Sequence, residues 1–223
     1  MNFLSSLTAV SLAYLIGSLS FAVIVSRAMG LSDPRSYGSG NPGATNVLRS
    51  GNKVAALLTL AFDALKGYVP VLAAWWLAPR FGWGEFTIGL VGLAAFIGHL
   101  WPVFFRFQGG KGVATAAGVL IALVPLLGAA TLLTWVIVAA FTRYSSLAAI
   151  VAAAFAPFFL LLNWGATPLV LPVGAMSLLL VWRHAGNIRK LLAGTESKLG
   201  QKAAPAAGPA KHPPHHPHSK RKH

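Results

Sequence analysis

Long apolar runs, separated by short polar or Gly/Pro-containing breaks, occupy the chain from its first residues to about residue 183. Segments of about 20 apolar residues strung end to end are what a bilayer requires of spanning helices. Seven candidate spans follow, at roughly 3–26, 54–78, 86–105, 113–126, 129–142, 146–163 and 167–183. The interval 113–142 suits one long tilted helix or two short ones, and Pro125 and Gly128 favour a break. The pattern therefore predicts an all-α integral membrane protein with seven transmembrane helices. The first apolar run lacks a basic n-region and continues to Val25, so it is expected to be a retained span.

Composition agrees: 56% of the 223 residues are hydrophobic and 10% are charged, against about 25% charged in a soluble domain. Cysteine is absent, which excludes thiol catalysis, thiolate metal sites and disulfides. The formal charge is +14, but five of the 18 Lys and Arg lie beyond residue 200, leaving 13 against the four acidic residues Asp33, Asp63, Glu85 and Glu196. With a break near Pro125, the positives from Arg27 to Lys53, then Arg106 and Lys111, Arg143, Arg183, Arg189 and Lys190 fall on one side and Arg80 opposite. The positive-inside rule then puts the N-terminus outside and the C-terminus in the cytoplasm. Residues 1–200 read as one membrane domain and 201–223 as a disordered basic tail rich in Pro and His, suited to brushing anionic headgroups. No recognised nucleic-acid-binding module is present.

Three polar stretches share the cytoplasmic side. In Gly38–Arg49, three glycines alternate with Asn41, Thr45 and Asn46, a pattern that can turn successive N–H groups into one anion-binding concavity; Ser39 adds a hydroxyl and Arg49 a planar fork. In the second, Gly109, Gly110 and Gly112 surround Lys111 where a helix should begin, so free N–H groups, the helix dipole and an ammonium converge on a phosphate. It is not a nucleotide-binding P-loop, since Phe105 and Gly112 stand where the first Gly and the Ser/Thr should be. The third, Arg183–Gly200, opens with an amphipathic pattern holding His184 and Asn187. Buried Asp63 and Lys66, three residues apart, suit a structural ion pair or a place in the site, and His99 lies close to the second Gly-rich loop.

At these stretches the chain resembles the acyl-phosphate-dependent glycerol-3-phosphate acyltransferases of the PlsY type. The matching strings are GSGNPGATNVLR at 38–49, GGKGVAT at 109–115 and HAGNIRKLLAGTESKL at 184–199, with DALKG at 63–67 and GHLWPVF at 98–104. The resemblance implies transfer of an acyl chain from acyl phosphate to the 1-hydroxyl of glycerol 3-phosphate in a bacterial inner membrane, giving lysophosphatidic acid and phosphate without metal or cofactor. The family's functional serine and arginine match Ser39 and Arg49, its glycine-rich loop matches Gly109 to Thr115, and its histidine, asparagine and glutamate match His184, Asn187 and Glu196; together with the loop chemistry, Ser39, Arg49, Lys111, His184 and Asn187 are expected to be catalytic. Gly38, Gly40, Asn41, Gly43, Thr45, Asn46, His99, Gly109, Gly110, Gly112, Thr115 and Glu196 are then expected to bind substrate.

The residues themselves point the same way. Two phosphate-bearing substrates need two oxyanion loops and cations on one face. No Gly-x-Ser-x-Gly elbow is present, and Phe104 and Arg189 stand where a His-x4-Asp motif would need Asp, so direct attack with a substrate phosphate oxygen as base is expected, His184 positioning. The partners expected are the two substrates and membrane lipid, with the chain a monomer. An anion transporter is the competing class, but no internal repeat is found.

Overall fold

The computed structural model describes residues 3–200, all of whose regular secondary structure is helical. The tail expected beyond residue 200 lies outside the described residues. The helices are α1 Phe3–Gly17, α2 Phe21–Ala28, α3 Ala44–Leu48, α4 Lys53–Phe81, α5 Glu85–Leu100, α6 Val113–Leu123, α7 Pro125–Thr142, α8 Ser145–Trp164, α9 Val170–Arg183 and α10 Ala185–Leu192.

Local chemistry sets the element ends. The first apolar run is two helices bent by 42°, not one. At the break Ser18 turns its hydroxyl onto the Tyr14 carbonyl, and Leu19 offers its carbonyl to Lys66 Nζ at 2.7 Å. Asn52 caps α4 by accepting from the Ala55 N–H, and Gly82 closes it at φ 66°. The expected span 86–105 stops as helix at Leu100, because Pro102 bars helical backbone at the residue before it; Val103–Phe105 form only a 3-10 turn. The break in 113–142 is present, but one residue earlier than the prolyl ring: Pro125 is the first residue of α7.

Glycines let two helix pairs approach closely. A Cβ at Gly17 would stand 2.0 Å from the Ala95 carbonyl oxygen, and one at Gly98 2.3 Å from that of Tyr14, which seats α1 on α5. Gly67 against Thr115 and Gly118 against Ala64 do the same for α4 and α6, as small residues do where no hydrophobic force draws helices together in lipid. Large apolar side chains such as Trp76, Phe141 and Leu162 face outward. Asp63 and Lys66, 2% and 3% exposed, are inside. This inversion of a soluble protein's layering marks a lipid-embedded one. Among the described residues, four helical segments are long and apolar enough to cross a membrane, or five if α1 and α2 count as one span; α6 and α9 are shorter.

Candidate active site

One cavity of about 950 Å³ joins the three polar stretches. Its polar pole is lined by Ser39 and Arg49 from the first loop and α3, Lys111 and Gly112 ahead of α6, Ser145 and Ser146 at the start of α8, and His184, Asn187 and Glu196 after α9. From there it continues as an apolar arm between α4, α6, α7, α8 and α9, where Leu60, Leu120, Trp135, Ala153 and Met176 line it.

Hydrogen bonds order the pole. Lys111 Nζ donates to Asn187 Oδ1, Asn187 Nδ2 donates to Glu196 Oε1 at 2.7 Å, and Ser146 Oγ donates to the same oxygen at 2.7 Å. Arg49 donates to Ser197 Oγ at 2.5 Å. Burial, opposed by Glu196 and assisted by the charges of Lys190, Arg183 and Arg49, lowers the Lys111 pKa to about 8. His184 is buried, and its Nδ1 lies 2.8 Å from the Leu180 carbonyl. A carbonyl can only accept, so Nδ1 carries the proton and Nε2 is left as an acceptor. Burial pulls the His184 pKa down to about 4, so the ring is neutral at pH 7.

The five expected catalytic residues, Ser39, Arg49, Lys111, His184 and Asn187, all line this cavity. So do Gly38, Asn41, Gly43, Thr45, Asn46, His99, Gly112 and Glu196, whereas Gly40, Gly109, Gly110 and Thr115 do not. The free N–H cluster expected around Lys111 is smaller than the sequence suggests, because Gly110 N–H is spent on the His99 carbonyl at 3.2 Å. Gly109 and Gly110 are glycine for another reason: a Cβ at Gly109 would stand 2.1 Å from the His99 carbonyl oxygen, and one at Gly110 2.3 Å from His99 Nε2. Asn46 spends its amide on the loop, accepting from Ser39 N–H at 3.0 Å and donating to Pro34 O and Tyr37 O at 2.6 and 3.1 Å. Thr115 bonds the Asp63 carbonyl at 2.9 Å and lies 3.2 Å from His99 Nδ1. Asp63 and Lys66 form the expected ion pair at 2.7 Å, and Asp63 also reaches the cavity wall.

Sequence reading passed over Arg183 and Ser146. Arg183 donates to Gly109 O at 3.0 Å and to Gly110 O at 3.0 and 3.2 Å, fastening the Lys111 loop to the end of α9. At a helix end its charge looks like a membrane flank, and nothing local distinguishes the two roles. Ser146 is one hydroxyl among many until Glu196 folds onto it.

A family model described as glycerol-3-phosphate acyltransferase matches residues 7–194. The chain belongs to the glycerol-3-phosphate acyltransferase family. Glycerol-3-phosphate acyltransferase of Burkholderia multivorans is 66% identical over 203 residues, covering 90% of this chain and 94% of that one. The Ralstonia nicotianae enzyme is 65% identical over 193 residues, 86% and 93% of the two chains. Two crystal structures of PlsY (YgiH), described as an integral membrane glycerol 3-phosphate acyltransferase, superpose on it. The glycerol 3-phosphate form has a TM-score of 0.82 at 39% identity, covering 88% of this chain and 96% of that one. The lysophosphatidic acid form has a TM-score of 0.80 at 38% identity with the same coverage. The protein is thus a membrane acyltransferase, and its cavity is the acyltransferase's candidate active site.

Proposed function

We propose that this acyltransferase moves a fatty acyl group from an acyl phosphate to the 1-hydroxyl of glycerol 3-phosphate, giving lysophosphatidic acid and inorganic phosphate. What carries the proposal is the bipartite cavity: a pole lined by Arg49, Lys111 and hydroxyls opens without a partition into an apolar arm. Anionic phosphate and hydrocarbon are both accommodated in one place. The ligands naming the two PlsY forms are the acceptor and the acylated product of this reaction.

Arg49 and Lys111 hold the phosphates, with Ser39 and the start of α6 completing the cradle. Asn187, held by Glu196, fixes the Lys111 ammonium. The glycerol hydroxyl attacks the acyl carbonyl carbon, the carbon–oxygen bond to phosphate breaks, and the hydroxyl proton passes to an oxygen of the departing phosphate. A histidine whose conjugate acid has a pKa of about 4 is a weak base, so His184 Nε2 aligns the attacking hydroxyl rather than removing its proton. No acyl-enzyme, metal or cofactor enters the scheme.

The membrane arrangement is part of the proposal. With α1 and α2 as one bent span, and α4 to α9 as six more, seven spans put the N-terminus outside and the polar pole and C-terminus in the cytoplasm of a bacterial inner membrane. The helix α6, 11 residues long, rises only about 16 Å and cannot cross about 30 Å of hydrocarbon. The loop Gly109–Gly112 ahead of it, in which Gly110 and Gly112 are buried, completes this span at the polar pole, irregular backbone being tolerated where protein covers it. One chain builds the whole cavity, so the working unit is a monomer.

The decisive assay supplies palmitoyl phosphate and glycerol 3-phosphate to purified protein and follows phosphate release. Release should require glycerol 3-phosphate and vanish in Arg49→Ala. Silence from folded protein with either acyl phosphate or acyl-CoA would send the function to anion transport. His184→Ala should keep a measurable remnant of turnover; total loss with both substrates still bound would make His184 the base.

A further inference from the structure

The apolar arm has a closed end, and its depth is the same on two helices that face each other. Measured from the polar pole, the deepest lining residue of α8 is Ala156, 11 positions beyond Ser145, and the deepest of α7 is Thr131, 11 positions before Thr142. Both distances correspond to about 16 Å of helix rise. Along α8, Ala149, Ala152, Ala153 and Ala156 line the arm; their i, i+3, i+4, i+7 spacing puts four methyl groups on one face where larger side chains would fill it. One turn further, the space is shut: Leu127 on α7, Leu160 on α8 and Val173 on α9 are each fully buried and belong to one core cluster.

We infer that this floor is the chain-length gauge of the enzyme: the acyl chain of the donor runs down the alanine face of α8 until its methyl end meets the level of Thr131 and Ala156. This rests on the acyl-phosphate reaction proposed above. An extended hydrocarbon built of ~1.5 Å bonds advances about 1.25 Å per carbon, so a well about 16 Å deep takes about 13 carbons. Donors of about 14 to 16 carbons fill the arm with the carbonyl left at the pole. Shorter chains forfeit contact surface, which lowers transition-state binding with each missing methylene. Longer chains can leave sideways between α4 and α7. There Leu57, Leu60 and Leu132 line the cavity and are also 65%, 48% and 45% exposed. That side opening gives a chain a way in from the bilayer; the closed end decides how much of it is held.

The experiment measures kcat/KM of the full-length enzyme for saturated acyl phosphates of 10 to 20 carbons, with glycerol 3-phosphate saturating. The wild type should climb to a maximum at about 14 to 16 carbons and fall at least about fivefold by 20 carbons. Ala156→Phe and, from the facing helix, Thr131→Phe raise the floor by a turn and should increase the ratio of 10-carbon to 16-carbon transfer at least about tenfold. A wild-type profile that keeps rising through 20 carbons, or an unchanged ratio in a folded variant, overturns the gauge. Because the wild-type profile decides by itself, a variant that fails to fold does not leave the matter open. Failure of the underlying reaction looks different: no acyl phosphate of any length would release phosphate.

Discussion

On Lys111 burial acts most strongly, and the charges of Lys190, Arg183 and Arg49 add to it against Glu196 alone. Its ammonium exists only below its pKa of about 8, so donor binding should weaken as pH rises through that value. The expected outcome is an alkaline fall in kcat/KM with a midpoint near 8, displaced to higher pH in Lys111→Arg. Bound phosphate favours the charged form, so the fall in kcat should come later than the fall in kcat/KM; coincident profiles would remove Lys111 from phosphate binding. Arg183 acts one step away, through the Gly109 and Gly110 carbonyls. Arg183→Gln leaves those acceptors short of donors, at about 1–3 kcal/mol for a buried group. The Michaelis constant for acyl phosphate should rise about tenfold or more while that for glycerol 3-phosphate moves little, a split that steady-state kinetics resolves. That Ser39, Arg49, Lys111, His184 and Asn187 would line one cavity was legible because charge and polar chemistry at a membrane edge is conspicuous. Arg183 was not, since its partners are backbone atoms more than 70 positions away.

Helices α4 and α6 meet through Gly67 and Gly118, with a Cβ at Gly118 only 2.0 Å from the Ala64 carbonyl. Gly118→Val should therefore part the helices and lower stability by about 1–3 kcal/mol or more, read as a lowered Tm in detergent. Gly174→Ala is the control, because a Cβ there meets nothing within 4 Å. The helix breaks were legible to the extent that a local rule sets them. Pro125 starts α7 because the ring bars only the continuation of the preceding helix. The expected span 86–105 matches the apolar segment Glu85–Phe105, but its α-helix ends at Leu100, because apolar character runs on through Val103, Phe104 and Phe105 after Pro102 has already ended the helix. Hydropathy reports where a segment prefers to be, and backbone geometry is a separate matter.

At the scale of the molecule, the orientation proposed here can be read chemically, since the chain contains no cysteine to confuse labelling. Ser36→Cys, in the exposed loop after α2, should react with an impermeant maleimide only from the cytoplasmic side, and Gly84→Cys, between α4 and α5, only from the outer side. Labelling of both from one side would rule out the seven-span arrangement. Sequence by itself determined the membrane environment and the helical class, and it singled out the three polar stretches that line one cavity. Those follow from transfer energies and charge placement, which act residue by residue. The tertiary structure alone decided that Asn46, at the cavity wall, spends its amide on the loop, and that Gly109 and Gly110 lie outside the lining, with the Gly110 N–H spent on the His99 carbonyl. It also decided that Arg183 fastens the Lys111 loop, and that the apolar arm ends at Leu127, Leu160 and Val173. Each of these depends on which distant side chain or carbonyl fills a given space, and close packing is a property of assembled helices that no single segment encodes.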